Sequence, residues 1–225
     1  MYPEIRVFSV TLSTYPLLIV AGVLAALLVR RLLPVRHVPS ERLGFLIVPA
    51  ALGLVIGSKL PVLLSHGFRW EILLTGRSLV GALIGAWAAV NLAKWRRGEH
   101  WTGGGDGLVL PLAAGLAFGR GACLLAGCCW GVNGLPVPAI EIAFHVAAFT
   151  YFLALRRRGK LHGRWFPLYL FSYCVFRFVI EFVRVEPRIA GPFTAYHLFA
   201  ALGMFVAAFE IVRRSRHPGG VHVPA

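Results

Sequence analysis

Ionisable side chains stand inside otherwise apolar runs of this 225-residue chain, the informative ones being Lys59, Arg77, Arg120, Glu141, Arg177 and Glu181. A charge at the centre of a bilayer costs at least about 2.5–3.5 kcal/mol on the insertion scale, so each of them needs a partner or a purpose. Lys59 and Arg77 lie near the ends of their runs, where a long side chain can snorkel to the interface. The other four lack that exit. In Arg177-Phe-Val-Ile-Glu181-Phe-Val-Arg184, spacings of four and three put three charges on one face of a helix. Arg120, Arg177, Arg184, Glu141 and Glu181 keep one surplus positive charge even when fully paired. A surplus guanidinium in a low-dielectric pocket selects an anion, and its planar donor fork matches a phosphate. An internal network of salt bridges is the plainer alternative.

Other side chains are less specific. Tyr15, followed by Pro16, suits an interfacial anchor or a hydroxyl donor to a headgroup. His145 reads more readily as a satisfied core histidine than as a base. His197 is better placed for acid or base work, with no partner fixed for it. Four cysteines occur, Cys123, Cys128, Cys129 and Cys174. The first two can form a ligand pair or a disulfide if they face an oxidising compartment. Without a CxxC pair or a nearby histidine cluster, no metal site is expected. Cys174 reads as a small buried hydrophobe.

The elements that must carry these groups are legible from the apolar pattern. The chain is 58% hydrophobic and 14% charged, with a mean hydropathy of +0.73, which excludes a disordered segment and argues against a water-soluble domain. Seven stretches, roughly 12–33, 43–65, 71–93, 107–127, 135–155, 166–183 and 192–212, are each long enough to cross about 30 Å of hydrocarbon. The expected fold is all-α: a single seven-span transmembrane domain over 1–225, with short loops, a flexible connector over 99–107 and a frayed tail over 217–225 that carries His217 and His222. Pro34 and Pro39 bracket the first loop. Gly53/Gly57, Gly81/Gly85 and Gly115/Gly119 have the small-xxx-small spacing that lets helices approach closely in lipid.

The net charge is +14. Fifteen lysines and arginines follow the first, third, fifth and seventh stretches (Arg30 to Arg42, Lys94 to Arg97, Arg156 to Arg164, Arg213 to Arg216), against Arg6, Arg69, Arg184 and Arg188 on the opposite side. The positive-inside rule then places the N-terminus outside and the C-terminus in the cytoplasm. Topology explains the basic balance, and no basic patch interleaved with aromatics points to nucleic acid. Residues 1–13 lack the features of a removable signal peptide, so the first span is expected to be retained. At 1.5 Å per residue, Arg120, Glu141, Arg177 and Glu181 fall in one outer layer, where anionic phospholipid is the phosphate at hand.

The segment Asp106 to Gly131, D-G-L-V-L-P-L-A-A-G-L-A-F-G-R-G-A-C-L-L-A-G-C-C-W-G, resembles the signature of bacterial prolipoprotein diacylglyceryl transferases through Asp106, Pro111, Gly119, Arg120, Gly127 and Gly131. Arg177 to Arg184 is similar to the family's Arg-Phe-x-x-Glu-x-x-Arg motif. Pro136 and Glu141 resemble its His-Pro-x-x-Leu-Tyr-Glu element, and Tyr15 its first-span tyrosine. The likeness covers nearly the whole chain. It implies transfer of a diacylglyceryl group from phosphatidylglycerol to the lipobox cysteine of a secreted precursor in the bacterial inner membrane, without metal or soluble cofactor. Arg120, Arg177, Glu141 and Glu181 would then be catalytic, and Tyr15, Arg184, Cys123, Cys128 and His197 would line the substrate. Three positions depart from the pattern: the family's span-three histidine is Val80, the signature's first asparagine is Cys123, and its glutamate is Cys128. Replacing a base with an isopropyl group leaves proton abstraction unassigned. A lipid transferase with another acceptor, or a lipid-binding or transport protein, are the competing readings. The lack of an internal repeat and the gathering of charge at one depth count against transport.

Overall fold

The computed structural model describes residues 4–7, 10–34, 40–98 and 105–216. Arg36, Pro39, the 99–104 part of the expected connector, and the 217–225 tail with His217 and His222 lie outside the described residues. Among these, the order is β1 (Glu4–Val7), β2 (Val10–Ser13), α1 (Thr14–Leu32), α2 (Ser40–His66), α3 (Trp70–Thr75), α4 (Leu79–Arg96), α5 (Asp106–Ala126), α6 (Val137–Arg157), α7 (Trp165–Ile180), β3 (Arg188–Ala190), β4 (Phe193–Thr194) and α8 (Ala195–Arg216). The strands form two antiparallel hairpins, β1 with β2 and β3 with β4. Neither hairpin is foreseen by the apolar pattern. Gly191-Pro192, with Gly191 at φ +54°, is the turn signal for the second.

Among the described residues, six helices are long and apolar enough to cross a membrane: α1, α2 over Gly44–His66, α5, α6, α7 with the following turn over Trp165–Val183, and α8. The chain is an all-α polytopic membrane protein. Their large apolar side chains stay exposed, as Val20, Val23, Leu24, Leu27 and Leu28 of α1 do, because lipid, not protein, is the solvent for that face.

The expected 71–93 stretch is broken. Helix α3 stops at Thr75, and α4 begins only at Leu79. Lys59 supplies the physical reason: its Nζ donates to the carbonyls of Leu74 (3.3 Å) and Gly76 (2.8 Å), which a continuous helix would have used internally. The Ser78 hydroxyl then caps α4 by accepting the Gly81 N–H. Arg77 is therefore an exposed loop residue and does not lie within an apolar helix. With Asn91, Lys94 and Arg96 towards its end, α4 lacks the unbroken apolar length of the other six.

By backbone proximity the chain divides into two compact units. One comprises the described residues within Met1–Arg36, Gly105–Phe166 and Val183–Val185; the other comprises those within His37–Gly104, Pro167–Phe182 and Glu186–Ala225. In the first, α1 lies against α5 where a Cβ on Gly22 would come within 2.8 Å of the Gly115 carbonyl oxygen. Asp106, the first residue of α5, accepts the N–H groups of Gly163 and Trp165, the latter at 3.0 Å. It thereby satisfies donors at the start of α7 that no helical carbonyl can reach. Removing this buried acceptor strands both donors, so Asp106→Ala is expected to destabilise the protein by about 1–3 kcal/mol, read as a lowered Tm in detergent.

In the second unit, α2 and α4 cross on four glycines. A Cβ at Gly57 or Gly81 would land on the carbonyl oxygen of the other, and Gly53 and Gly85 stand in the same relation. In these two pairs the small-xxx-small spacing read in the sequence is a backbone-to-backbone crossing, whereas at Gly119 of the third pair a Cβ would meet only the Ile19 side chain, at 3.9 Å. Helix α8 packs nearby through Gly203, where a Cβ would meet the Sγ of the buried Cys174 and the side chain of Ile84.

Candidate functional site

In the first unit the chemistry gathers at the end of α5 and the start of α6. Arg120 Nε lies 2.9 Å from Glu141 Oε2, the carboxylate fully buried and the guanidinium 16% exposed. Such a pair stands only because each charge compensates the other's desolvation. His145 follows Glu141 by one turn on the same face of α6 and is also fully buried. Arg120 Nη1 points to the Cys123 Sγ at 3.9 Å.

Helix α5 ends at Gly127, which adopts φ +72°, and the Cys128 N–H returns to the Cys123 carbonyl at 3.1 Å, a Schellman-type close. That turn brings the Sγ atoms of Cys123, Cys128 and Cys129 within 4.8 Å of one another. All four cysteines are free thiols. The Cys129 thiol is pulled down to about 5 by a hydrogen bond from Cys123 and by the guanidiniums of Arg184 and Arg120, while burial pushes Cys128 up.

Arg184 does not share the helical face expected for it. Helix α7 ends at Ile180, residues 181–183 tighten into a 3-10 turn, and Arg184 pairs by a β-bridge with Gly131. Gly131 allows this approach because a Cβ there would meet the Val183 carbonyl oxygen at 2.6 Å. The i+3 spacing is real, but the helix that would have used it has ended.

In the second unit, Arg177 Nη2 donates to Glu181 Oε2 at 3.0 Å, with Arg177 only 5% exposed. The other carboxylate oxygen accepts the Thr194 hydroxyl at 3.3 Å. The Thr194 N–H donates to His197 Nδ1 at 3.1 Å. A ring nitrogen that accepts an N–H carries no proton, so neutral His197 is the Nε2–H tautomer. Thr194 is the residue before α8 and His197 is three positions later, the spacing of a capping box with histidine in place of glutamate. His197 is further fixed by the rings of Phe178, Phe182 and Phe193, with centroids 5.1, 4.4 and 5.5 Å away. Its Nε2 is buried and has no hydrogen-bond partner among the described residues. His197 is therefore a positioned donor, with its basic nitrogen already committed to the helix start.

Among the expected site residues, Arg120, Glu141, Cys123, Cys128 and Arg184 belong to the first constellation, and Arg177, Glu181 and His197 to the second. Tyr15 sits in the first turn of α1 and is 42% exposed, as an interfacial side chain would be. Sequence reasoning missed Thr194 and Cys129. The Thr-x-x-His spacing just ahead of an apolar run was the available signal for Thr194; nothing short of the turn geometry points to Cys129. Val80 is 1% exposed, a hydrocarbon core position.

Comparison with known proteins bears on both constellations. The sequence model of the prolipoprotein diacylglyceryl transferase family matches residues 4–213. The phosphatidylglycerol–prolipoprotein diacylglyceryl transferase of Dehalococcoides mccartyi is 31% identical, the match covering 51% of this chain and 52% of that one, about half its length. A second such transferase from Clostridium perfringens is 24% identical over 81% of this chain and 83% of its own. That of Clostridium tetani is 26% identical over 81% and 85%. With six helices among the described residues long and apolar enough to cross a membrane, the Arg120–Glu141 and Arg177–Glu181 pairs set among them, and a family match over residues 4–213, this chain belongs to the prolipoprotein diacylglyceryl transferase family.

Proposed function

We propose that the protein transfers a diacylglyceryl group from phosphatidylglycerol to the thiol of a lipobox cysteine in a precursor protein, in the bacterial inner membrane. The observation that carries this reading is the pairing of two of the three motif arginines with buried carboxylates, Arg120 with Glu141 and Arg177 with Glu181. A phosphate that enters against such a guanidinium meets a donor fork already oriented and largely stripped of water. The topology that goes with the reading is a single domain of seven spans, α4 included, with the N-terminus outside. Basic residues closing α1, α4, α6 and α8 support that orientation.

In the reaction the acceptor thiolate attacks the glyceryl carbon attached to the lipid phosphate. A sulfur–carbon bond forms as the carbon–oxygen bond breaks, and the electron pair leaves with glycerol phosphate. The charge that grows on the leaving phosphate calls for a guanidinium donor, the role assigned to Arg120 in the first unit and to Arg177 in the second. Glu141 and Glu181 hold the two guanidiniums, and Tyr15, Arg184, Cys123, Cys128 and His197 contact the substrates, His197 as a donor through Nε2. The hydrocarbon at Val80 and the thiols at Cys123 and Cys128 favour one further reading, a transferase of the same donor lipid with another acceptor.

Complementation of cells depleted of their own transferase separates the two. The wild-type chain is expected to restore growth, with Arg120→Ala and Arg177→Ala at equal membrane abundance failing to do so. No rescue by an abundant wild-type chain would count against the lipobox acceptor.

A further inference from the structure

The three thiols closing α5 form a half-open nest. Cys123 is buried, Cys128 exposed and Cys129 between the two, so the cluster runs from the interior to the surface. Gly127 at φ +72° and Cys129 at φ +63° hold this arrangement through backbone conformations that few residues adopt. Thiolate sulfur selects soft and borderline metal ions. In a tetrahedral zinc site with Zn–S about 2.3 Å, the sulfurs stand about 3.8 Å apart, so Sγ atoms now within 4.8 Å of one another need to draw in by no more than about 1 Å. Charge agrees with a divalent ion. With the three thiols deprotonated, they and Glu141 outweigh Arg120 and Arg184 by two negative charges, which a dication offsets. The cluster contains no fourth histidine, cysteine or carboxylate among the described residues. Three protein ligands with one open position is the pattern of a catalytic zinc and not of a structural one.

We propose that Cys123, Cys128 and Cys129 bind a zinc ion whose open position takes the thiol of the acceptor cysteine. The first half stands without the transferase reading; the second half rests on it. A thiol that coordinates a metal is deprotonated outright, which supplies the step left without a base by the buried hydrocarbon of Val80. The acceptor S–H proton passes to solvent and the zinc-held thiolate attacks the glyceryl carbon. The sulfur–carbon bond forms, the carbon–oxygen bond to phosphate breaks, and its electron pair departs on glycerol phosphate. Zinc keeps its oxidation state throughout. The expectation from spacing was that no metal would bind. The left-handed turn changes that by folding Cys129 back beside two thiols that the sequence leaves as an isolated pair.

The test uses the reduced full-length chain in detergent, titrated with Zn(II) against a chromophoric chelator and loaded separately with Co(II). One zinc per chain is expected for wild type and for Cys174→Ala, and none retained in Cys128→Ser or Cys129→Ser. Because Cys128 is exposed, its serine variant keeps the packing intact. The thiolate-to-cobalt absorption is expected to intensify when a lipobox peptide is added, but not with its Cys→Ser analogue. Absence of stoichiometric zinc in wild type, or uptake unchanged in both serine variants, overturns the site. A cobalt spectrum indifferent to the cysteine peptide overturns the acceptor role. Full transfer activity in Cys128→Ser and Cys129→Ser would leave the transferase reading standing and remove zinc from it. A normal zinc and cobalt response without transfer from phosphatidylglycerol would support the site and defeat only the donor-lipid assignment.

Discussion

Arg120→Ala is expected to lower the rate of diacylglyceryl transfer by about 10²–10³-fold, the effect of deleting one oriented donor at a developing oxyanion. A second consequence comes from the partner. Glu141 is fully buried, and leaving it without its guanidinium costs about 3–5 kcal/mol of stability. The two effects separate in the double variant Arg120→Ala/Glu141→Gln, which has no stranded charge. Its folded yield is expected to recover while its activity stays as low as that of the single variant. Recovery of activity along with yield would make Arg120 a structural residue only. Arg120→Lys retains the charge without the fork and is expected to fall between, because an ammonium cannot hold a phosphate and a carboxylate in the same planar geometry.

The helix crossing of the second unit gives the other large effect. Gly81→Val is expected to abolish accumulation of folded protein, because its Cβ would overlap the Gly57 carbonyl oxygen and also lie 2.8 Å from the Pro61 ring. Neither a carbonyl in a helix nor a proline ring can swing aside. Overpacking of this kind costs about 3 kcal/mol or more where backbone must move. Gly44→Ala in the same helix α2, where nothing lies within 4 Å of the added carbon, is the matched control and is expected to leave yield unchanged. Monodisperse protein recovered from membranes at equal expression is the measurement. Equal recovery of the two variants would mean that α2 and α4 do not cross on their glycines.

What could be read from the chain depended on how local its cause is. Membrane-length apolar runs are properties of consecutive residues, and six of the seven expected stretches became helices of nearly the same bounds. The Arg177–Glu181 pair is likewise local, four residues apart across the end of α7. The broken third stretch was not legible, because its cause lies in another helix: the Lys59 ammonium draws on carbonyls fifteen and seventeen residues away. Arg184 left its expected face for a backbone bridge with Gly131, a pairing with no trace in the local spacing. His197 was recognised by type and position but assigned without a partner. The Thr194 cap that fixes its tautomer was present in the sequence at a spacing ordinarily sought with glutamate.

The most direct measurement is made with the purified chain, phosphatidylglycerol and a lipobox peptide, followed by intact mass spectrometry of the peptide. The cysteine peptide is expected to gain one diacylglyceryl group in thioether linkage, with one glycerol phosphate released for each peptide modified and the serine analogue unchanged. An unmodified cysteine peptide, under conditions in which the Clostridium perfringens relative does modify it, would contradict the account.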